Sequence, residues 1–483
     1  MRINRENHKE AQRYPEKIVQ FGEGNFLRAF VDWIVYRMNK QCGFNAGVTV
    51  VQPIAHGMVD KLNEQDGLYT LYLRGIVNGK PQSDRMVVDV INRGINPYTQ
   101  YQEYLQLATN PELEFIISNT TEAGIAYNEE DRYNVAPPAS FPAKLTVLLH
   151  KRFEHFNGDH TKGLFIIPCE LIDKNADYLK KYILQYAKQW NLGDDFIYWV
   201  EQSNHFCNSL VDRIVPGYPK DRIEEVKAEL PYEDQLVNEA EQFHLWVIEG
   251  GEELKKRFPV EKTDLNVLIV PDASDYKTRK VRILNGSHTA LCPISILAGI
   301  ETVREAMEDA DTMTFLAQTL NEEIIPTLTL PKPELEQFAA DVLDRFRNPF
   351  IKHYWMSISL NSMSKFETRV LPSLLTYQKA NGKLPKRLTF ALAATIAFYE
   401  GYRGAEKLDI KDNDDIMALY AEAWQLFDGD DASYQQVVEK VLGYEANWKM
   451  DLNKVPGLTE AVTAHLTAIE RQGMREALKT IIA

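Results

Sequence analysis

The sequence predicts an α/β amino-terminal domain followed by a mainly α-helical carboxyl-terminal domain. Through about residue 275, short β-rich runs alternate with helical patterns, which indicates a parallel sheet with connecting helices. Beyond that point nearly all of the sequence has helical periodicity, interrupted by turns such as "LPKPE" and "NGKLP". Because 483 residues exceed what one hydrophobic core supports, we place the domains at residues 1–277 and 278–483, with the boundary in the polar segment "DASDYKTR".

Five apolar runs are the predicted strands of the parallel sheet. Each is largely apolar, as expected when helices cover both faces of a sheet. They are "KIVQF" (17–21), "GVTVVQ" (47–52), "EFIIS" (114–118), "GLFIIP" (163–168) and "NVLIVP" (266–271). Between residues 68 and 90, an Asn78-Gly79 turn separates two further β-rich runs, which predicts an antiparallel hairpin.

A glycine-rich loop follows the first predicted strand and precedes an amphipathic helix. In "IVQFGEGNFLRAF", Gly22 and Gly24 have the spacing that lets main-chain N–H groups approach a pyrophosphate, but Leu27 occupies the third glycine position. The loop therefore predicts a Rossmann-type dinucleotide site, with an ordinary tight turn as the alternative. The predicted cofactor-binding residues of this segment are Phe21, Gly22, Gly24, Asn25, Phe26 and Arg28.

Two other strand ends bear on the cofactor. The second strand ends at Gln52, which offers neither an acid for the ribose hydroxyls nor an arginine for a 2′-phosphate, although Lys61 lies within reach. This position therefore does not separate NAD from NADP. In "IISNTTEAGI", Thr120, Thr121 and Glu122 follow a buried strand and are predicted to face the cofactor; the alternative is that this segment caps the next helix.

A lysine, an amide and an imidazole open the helical half in "RKVRILNGSHTALCPISILAGI" (279–300). On an α-helix of about 100° per residue, Lys280, His288 and Asn285 project at roughly 0°, 80° and 140°, into one sector. A desolvated lysine exchanges a proton with a hydroxyl, the amide donates to a developing alkoxide, and the imidazole orients the reacting oxygen. These residues predict metal-free interconversion of an alcohol and a ketone; the alternative is a surface lysine, a helix cap and a core histidine.

Composition and charge exclude several classes of protein. A net charge of −15 disfavours nucleic acid and anionic membranes as partners, so we expect a small-molecule substrate. The polar amino terminus has no secretion-signal pattern and the four cysteines are scattered, so we expect a cytoplasmic protein with free thiols. No HExxH motif or cysteine quartet is present, and His150, His155 and His160 scatter around a helix, so we expect no metal site. The pattern specifies no oligomeric state.

Several motifs resemble a known family. "KVRILNGSH", "FGEGNFLRAF", "QDGLYT" and "VDRI" resemble the long-chain, polyol-specific mannitol dehydrogenase family, and "SNTTEAGI", "IIPCELID" and "RFRNPFIKH" resemble its hexuronate-type members. The resemblance implies an NAD-dependent, metal-independent oxidoreductase with a Rossmann-type domain and a helical domain, in which Lys280, Asn285 and His288 are catalytic. Where the mannitol enzymes have an asparagine in "SCDN", this chain has Leu171 in "PCEL", so that asparagine is missing here.

The resemblance also implies a sugar-acid substrate, with D-tagaturonate reduced reversibly to D-altronate. A substrate carboxylate needs a cationic pocket, and "RNPFIKH" and "SMSKFETR" offer Lys352, His353, Lys365 and Arg369. We expect Lys365, Arg369 and His353 to bind substrate, with surface ion pairs to acids such as Glu367 as the alternative. Two other functions remain open: a sister enzyme acting on fructuronate or mannitol, and a non-catalytic NAD-binding sensor or scaffold.

Overall fold

The computed structural model describes residues 1–121 and 123–483 and divides them into two compact units. The amino-terminal unit comprises residues 1–75 and 82–273, and the carboxyl-terminal unit comprises residues 76–81 and 274–483. Twelve of the fourteen strands in these described residues lie at Glu16–Phe21 (β1), Gly47–Val51 (β2), Tyr69–Val77 (β3), Lys80–Val88 (β4), Ile91–Ile95 (β5), Phe115–Ser118 (β6), Phe165–Pro168 (β7), His205–Phe206 (β8), Ser209–Asp212 (β9), Asn238–Ala240 (β10), Leu245–Glu249 (β11) and Val267–Val270 (β12).

A six-stranded parallel sheet forms the centre of the amino-terminal unit. Its strand order is β5-β2-β1-β6-β7-β8, so the chain builds outward from β1 in one direction and then returns to build from β1 in the other. This is the order of a doubly wound dinucleotide-binding sheet, and the predicted α/β fold is confirmed. The predicted strand at residues 266–271 exists as β12, but it belongs to a separate sheet of order β12-β11-β9, in which β9 runs antiparallel to β11.

Helices cover both faces of the parallel sheet. Alternate strand residues enter different cores: Ile18 and Phe115 lie in one core, and Val19 and Ile116 lie in the other. Burial on both faces is the reason that these strands read as continuous apolar runs. The helices of this unit are Asn25–Ala29 (α1), Val31–Cys42 (α2), Val59–Glu64 (α3), Tyr101–Gln106 (α4), Phe141–His155 (α5), Asn175–Gln189 (α6), Asp194–Ser203 (α7), Ile223–Glu229 (α8) and Glu252–Arg257 (α9).

The predicted hairpin is present as β3 and β4. Both residues of its turn have positive φ, 51° at Asn78 and 73° at Gly79, as a two-residue hairpin turn requires. Its β3 strand also pairs in parallel with the short β10, giving a three-stranded sheet of order β10-β3-β4.

The carboxyl-terminal unit is mainly helical, as predicted. Its α-helices are Ser274–Arg279 (α10), Gly286–Leu297 (α11), Val303–Glu308 (α12), Ala310–Thr319 (α13), Lys332–Phe346 (α14), Trp355–Ile358 (α15), Ser362–Arg369 (α16), Leu371–Asn381 (α17), Lys386–Phe398 (α18), Asp414–Trp424 (α19), Asp431–Leu442 (α20), Glu445–Trp448 (α21), Leu458–Gln472 (α22) and Met474–Ile482 (α23). Two π-helical segments, Lys280–Asn285 and Leu320–Ile324, and a small hairpin of Tyr402–Arg403 (β13) with Glu406–Lys407 (β14) complete it.

The apolar helix α18 is the centre of this unit. Every residue from Arg387 to Phe398 is buried, which explains why "LTFALAATIAF" is apolar on all sides. Within the described ranges, no helix is long and apolar enough to cross a membrane. The amino-terminal end of α18 is held by Glu323, which is 2% exposed and accepts hydrogen bonds from the main-chain N–H groups of Arg387 and Leu388 at 2.9 and 2.8 Å.

We predict that Glu323→Ala lowers the free energy of unfolding of the carboxyl-terminal unit by about 3 kcal/mol, because it removes a helix cap and leaves the buried Arg387 guanidinium without its nearest buried carboxylate. Glu322 is the matched control, since it pairs with the same guanidinium at 2.9 Å but its side chain is 59% exposed. Glu322→Ala should cost less than about 1 kcal/mol. Chemical denaturation followed by circular dichroism measures both, and equal losses in the two variants would contradict the assignment.

Candidate active site

The glycine loop lies at the carboxyl end of β1, where the strand order reverses. Gly22 has φ of 124°, and a Cβ atom on it would lie 2.8 Å from the main-chain oxygen of Asn119 at the end of β6. Its N–H donates to the oxygen of Val51 at the end of β2. A Cβ on Gly24 would meet nothing within 4 Å, so the open side of the loop is free for a ligand to approach the main chain. These features fit a dinucleotide at the switch point of the sheet.

Two of the predicted cofactor-binding residues, Phe21 and Arg28, contact the loop from its buried side. Phe21 is fully buried against Tyr104 and Phe141. Arg28 is 1% exposed, and its guanidinium donates to the oxygen of Glu23 at 3.2 Å and to Oδ1 of Asn25 at 2.7 Å. Their side chains therefore position the loop, while Asn25 and Phe26 are only partly buried.

A buried polar pair beneath the loop was missed by sequence reasoning. Gln20 is fully buried in β1, and its Nε2 donates to the oxygen of Gly22 at 3.1 Å and to Oδ2 of Asp32 at 3.3 Å. Burial raises the pKa of Asp32 to about 7, and the hydrogen bond from Gln20 opposes that shift. The available signal was a glutamine and an aspartate at positions that the strand and helix patterns assign to the interior.

The end of β6 is organised by Glu170, a second residue that sequence reasoning did not select. Glu170 is 2% exposed and accepts hydrogen bonds from the N–H and Oγ1 of Thr120 at 3.0 and 2.9 Å and from Oγ of Ser118 at 3.0 Å. Burial raises the pKa of its carboxyl group, and these hydrogen bonds lower it. The hydroxyl of Thr120 is thus directed to Glu170, and the next α-helix begins only at Phe141. Residue Thr121 is exposed with φ of 80°, and the predicted Glu122 lies outside the described residues.

Two further side chains lie just beyond the ends of β2 and β7. Gln52 is 3% exposed, and its Nε2 donates to the oxygens of Ile54 and Ala55 at 2.9 and 3.2 Å. Leu171, at the position of the missing asparagine, is 63% exposed and offers no polar group.

The segment that carries the lysine, asparagine and histidine departs from the predicted α-helix. Lys280–Asn285 is π-helical, and α11 begins only at Gly286. Because a π-helix bonds residue i to i+5, each residue turns through less than the 100° of an α-helix, and the angles predicted from Lys280 do not hold across this turn. A Cβ on Gly286 would lie 3.1 Å from the main-chain oxygen of Arg369, so glycine permits the close approach of this segment to the end of α16.

Lys280 and Asn285 stand at the two ends of the π-helical turn, and both are partly buried. His288 lies one turn further, enclosed by aromatic rings: it stacks on Phe346 with a centroid distance of 4.2 Å and lies 5.2 Å from His353. Its Nε2 is shielded from solvent and has no hydrogen-bond partner among residues 1–121 and 123–483. An unpartnered buried nitrogen is costly, so this atom is suited to bind a polar ligand group.

A cationic cluster, defined here as Arg345, Lys365 and Arg369 together with the imidazole of His353, surrounds His288. Burial lowers the pKa of His353, so the charge of the cluster comes from the other three residues. Burial lowers the pKa of His288 well below its ordinary value, and the four members of the cluster lower it further, so the imidazole is neutral at pH 7. Sequence reasoning missed Arg345, although "RFRNPFIKH" contains it.

Two members of the cluster, Lys365 and Arg369, form no ion pair with a carboxylate within the described residues. Lys365 donates to the oxygen of Ile358 at 2.9 Å, and its pKa is lowered by burial and then by Arg369. Burial also lowers the pKa of Arg369. In the part of the chain that the structure describes, neither residue forms an ion pair with Glu367 or another acid, whereas Lys352 is exposed. The chemistry of the cluster therefore suits an anionic ligand group, although the protein as a whole is acidic. The same described residues contain no group of three or more His, Cys, Asp or Glu placed to hold a metal ion.

Comparison with known proteins relates both units to one family. Residues 16–262 match the mannitol dehydrogenase Rossmann domain, and residues 272–470 match the mannitol dehydrogenase C-terminal domain. The chain is 50% identical over 480 residues to the altronate oxidoreductases of Escherichia coli O1:K1 / APEC and Shigella flexneri, covering 99% of each chain.

Two solved structures share the fold over nearly the whole length. They are D-sorbitol dehydrogenase in substrate-free form (TM-score 0.79, 24% identity, 99% of this chain and 100% of that one) and Pseudomonas fluorescens mannitol 2-dehydrogenase in a ternary complex with NAD and D-mannitol (TM-score 0.64, 20% identity, 99% of each chain). With family domains matched in both halves and half of all residues shared with curated relatives, the chain belongs to the mannitol dehydrogenase family.

Proposed function

We propose that the chain catalyses the reversible, NAD-dependent reduction of D-tagaturonate to D-altronate in hexuronate catabolism. Membership in the mannitol dehydrogenase family makes the chain an oxidoreductase that acts on CH–OH groups with NAD. The observation that carries the choice of substrate is the cationic cluster beside His288, which suits a substrate with a carboxylate. The 50% identity to altronate oxidoreductases supports the same choice.

Three residues of the π-helical turn and α11 act on the reacting oxygen. Lys280 is the general acid and base: its ammonium group gives a proton to the oxygen during reduction, and its amine removes that proton during oxidation. Asn285 donates an N–H to the same oxygen while negative charge develops there. His288, neutral because of its lowered pKa, orients the oxygen through its unpartnered Nε2. The cofactor, when bound, would supply a hydride as NADH for reduction and would accept one as NAD for oxidation.

The cationic cluster holds the other end of the substrate. A carboxylate in a closed site is costly to desolvate unless it is paired, and Lys365, Arg369 and His353 provide donors for it. Each charge-assisted hydrogen bond contributes about 1.5–3 kcal/mol. Because an uncharged polyol gains nothing from this charge, the cluster favours a sugar acid over the fructose and mannitol pair.

Two alternatives compete with this proposal. Fructuronate has the same carboxylate, and the identity to altronate oxidoreductases disfavours it. A non-catalytic NAD-binding sensor is disfavoured by the lysine, asparagine and unpartnered histidine, since a sensor needs no group for proton transfer.

A substrate screen tests the proposal directly. We predict that purified protein oxidises NADH with tagaturonate at a higher kcat/KM than with fructuronate, and at a far higher one than with fructose. The absorbance of NADH measures each rate. A preference for fructose would move the chain to the mannitol branch, and no turnover with any of the three would favour the sensor.

We predict that Lys280→Met lowers kcat by at least about 10³-fold, because general acid–base catalysis alone contributes about 10²- to 10⁴-fold. Lys379→Met, which removes an exposed lysine from α17, is the matched control and should keep wild-type turnover. Steady-state kinetics on variants with unchanged circular dichroism provide the measurement. More than a tenth of wild-type kcat in Lys280→Met would rule out this role.

We predict that Lys365→Ala raises KM for tagaturonate by about 10- to 100-fold, which corresponds to the loss of one charge-assisted hydrogen bond. Residual activity on fructose should change little, since fructose has no carboxylate. Lys352→Ala removes the same charge from an exposed position nearby and should leave both values unchanged. Equal losses on both substrates in Lys365→Ala would show that the lysine supports the fold instead of the carboxylate.

A further inference from the structure

We propose that Glu23, the residue between the two loop glycines, replaces the acid that the end of β2 lacks. Its carboxylate accepts hydrogen bonds from the hydroxyls of the adenosine ribose of NAD and repels the 2′-phosphate of NADP. The inference concerns binding of cofactor by the amino-terminal unit. It is therefore independent of the sugar acid proposed as substrate.

The side chain of Glu23 reaches from the glycine loop to the segment that follows β2. Its Oε1 accepts a hydrogen bond from the N–H of Met58 at 3.4 Å. A Cβ atom on Gly57 would lie 2.1 Å from Oε1 of Glu23 and 2.4 Å from Oε1 of Gln52. The carboxylate of Glu23 and the amide of Gln52 thus meet over Gly57, at the carboxyl end of β2. In dinucleotide-binding sheets this strand end is where an acid meets the ribose.

Gln52 itself is committed to its own loop. Its Nε2 donates to the oxygens of Ile54 and Ala55, and its Oε1 faces the N–H of Val59 at 3.4 Å. Because both ends of the amide hold the loop after β2, Glu23 is the acceptor that remains for ribose hydroxyls.

Glu23 is a buried acid that forms no ion pair with a described residue. The residue is 8% exposed, and it forms no ion pair within residues 1–121 and 123–483. The charge of Arg28 lowers the pKa of this carboxyl group, but the Nε of Arg28 donates to the main-chain oxygen of Glu23 and not to its carboxylate. Burial raises the pKa of this carboxyl group, so keeping it here costs stability, as expected for a group retained to bind a ligand.

This arrangement discriminates between the two cofactors by charge. The 2′- and 3′-hydroxyls of a ribose donate to a carboxylate, and such charge-assisted hydrogen bonds contribute about 1.5–3 kcal/mol each. A phosphate monoester carries a charge of about −1.5 to −2 at pH 7 and repels the same carboxylate. Lys61, exposed on α3, is the nearby cation in sequence that would favour the phosphate.

Binding of cofactor alone, without substrate, tests the inference. The dissociation constants of NADH and NADPH are measured by nicotinamide fluorescence for the wild type and for Glu23→Gln, Glu23→Ser and Asp60→Asn. Asp60→Asn is the matched control, because Asp60 is an exposed acid in the first turn of α3 and its loss changes the net charge equally. Thermal unfolding confirms that each variant is folded. Serine is included because glutamine keeps an acceptor oxygen for the ribose.

We expect the wild type to bind NADH more tightly than NADPH. The ratio of the dissociation constant of NADPH to that of NADH should fall at least tenfold in Glu23→Ser, which removes both the acceptor and the charge, as the loss of one charge-assisted hydrogen bond predicts. In Glu23→Gln, which removes only the charge, the ratio should fall by a smaller factor. Asp60→Asn should leave the ratio within about twofold, since an exposed charge is screened. An unchanged ratio in whichever Glu23 variants are folded, an equal shift in Asp60→Asn, or tighter binding of NADPH by the wild type would each overturn the inference.

Discussion

The main-chain contact between Gly22 and Asn119 is the constraint on which the amino-terminal unit depends. It brings the ends of β1 and β6 together at the point where the sheet changes direction, and it exists only because Gly22 has no side chain and adopts a φ of 124°. Once this contact is made, the loop from Gly22 to Gly24 has one open side. The other side is fixed by Gln20 and Arg28, which donate hydrogen bonds to the loop from the interior, and Asp32 accepts a hydrogen bond from Gln20.

Buried polar groups recur around the ends of the central strands. Glu23, Asp32 and Glu170 are all nearly inaccessible to solvent, and burial raises the pKa of each. Three carboxyl groups with this property in one unit reduce its stability, because each must be desolvated when the chain folds. Around His288 in the carboxyl-terminal unit, the neighbouring charged groups are instead the cations Arg345, Lys365 and Arg369.

How far the fold could be predicted depended on how local its signals are. β1, β2, β6 and β7 were predicted because strands that are buried on both faces consist of continuous apolar runs. β12 has the same kind of run, but an apolar run does not indicate which strands pair with it. This strand lies in another sheet. The lysine, asparagine and histidine were selected by their spacing, and their catalytic role stays a prediction. The hydrogen bonds of Arg28 and the position of Glu170 were not foreseen, because polar residues give no sign of which strand end or loop they bond to. The π-helical turn could not be predicted from the sequence, because the same side chains are compatible with i→i+4 and i→i+5 hydrogen bonding.

That π-helical turn also makes the relative directions of Lys280 and His288 depend on the number of residues between them. A π-helical turn accommodates one residue more than an α-helical turn in the same stretch of axis, so it has the form of a single inserted residue retained within a helix. Deleting any one residue between Lys280 and Asn285 would allow the segment to relax to an α-helix and rotate Lys280 by about 100° relative to His288. The side chains of Lys280, Asn285 and His288 would survive such a deletion unaltered, and only their directions would change. In this helix, the number of residues is as much a part of the proposed chemistry as their identity.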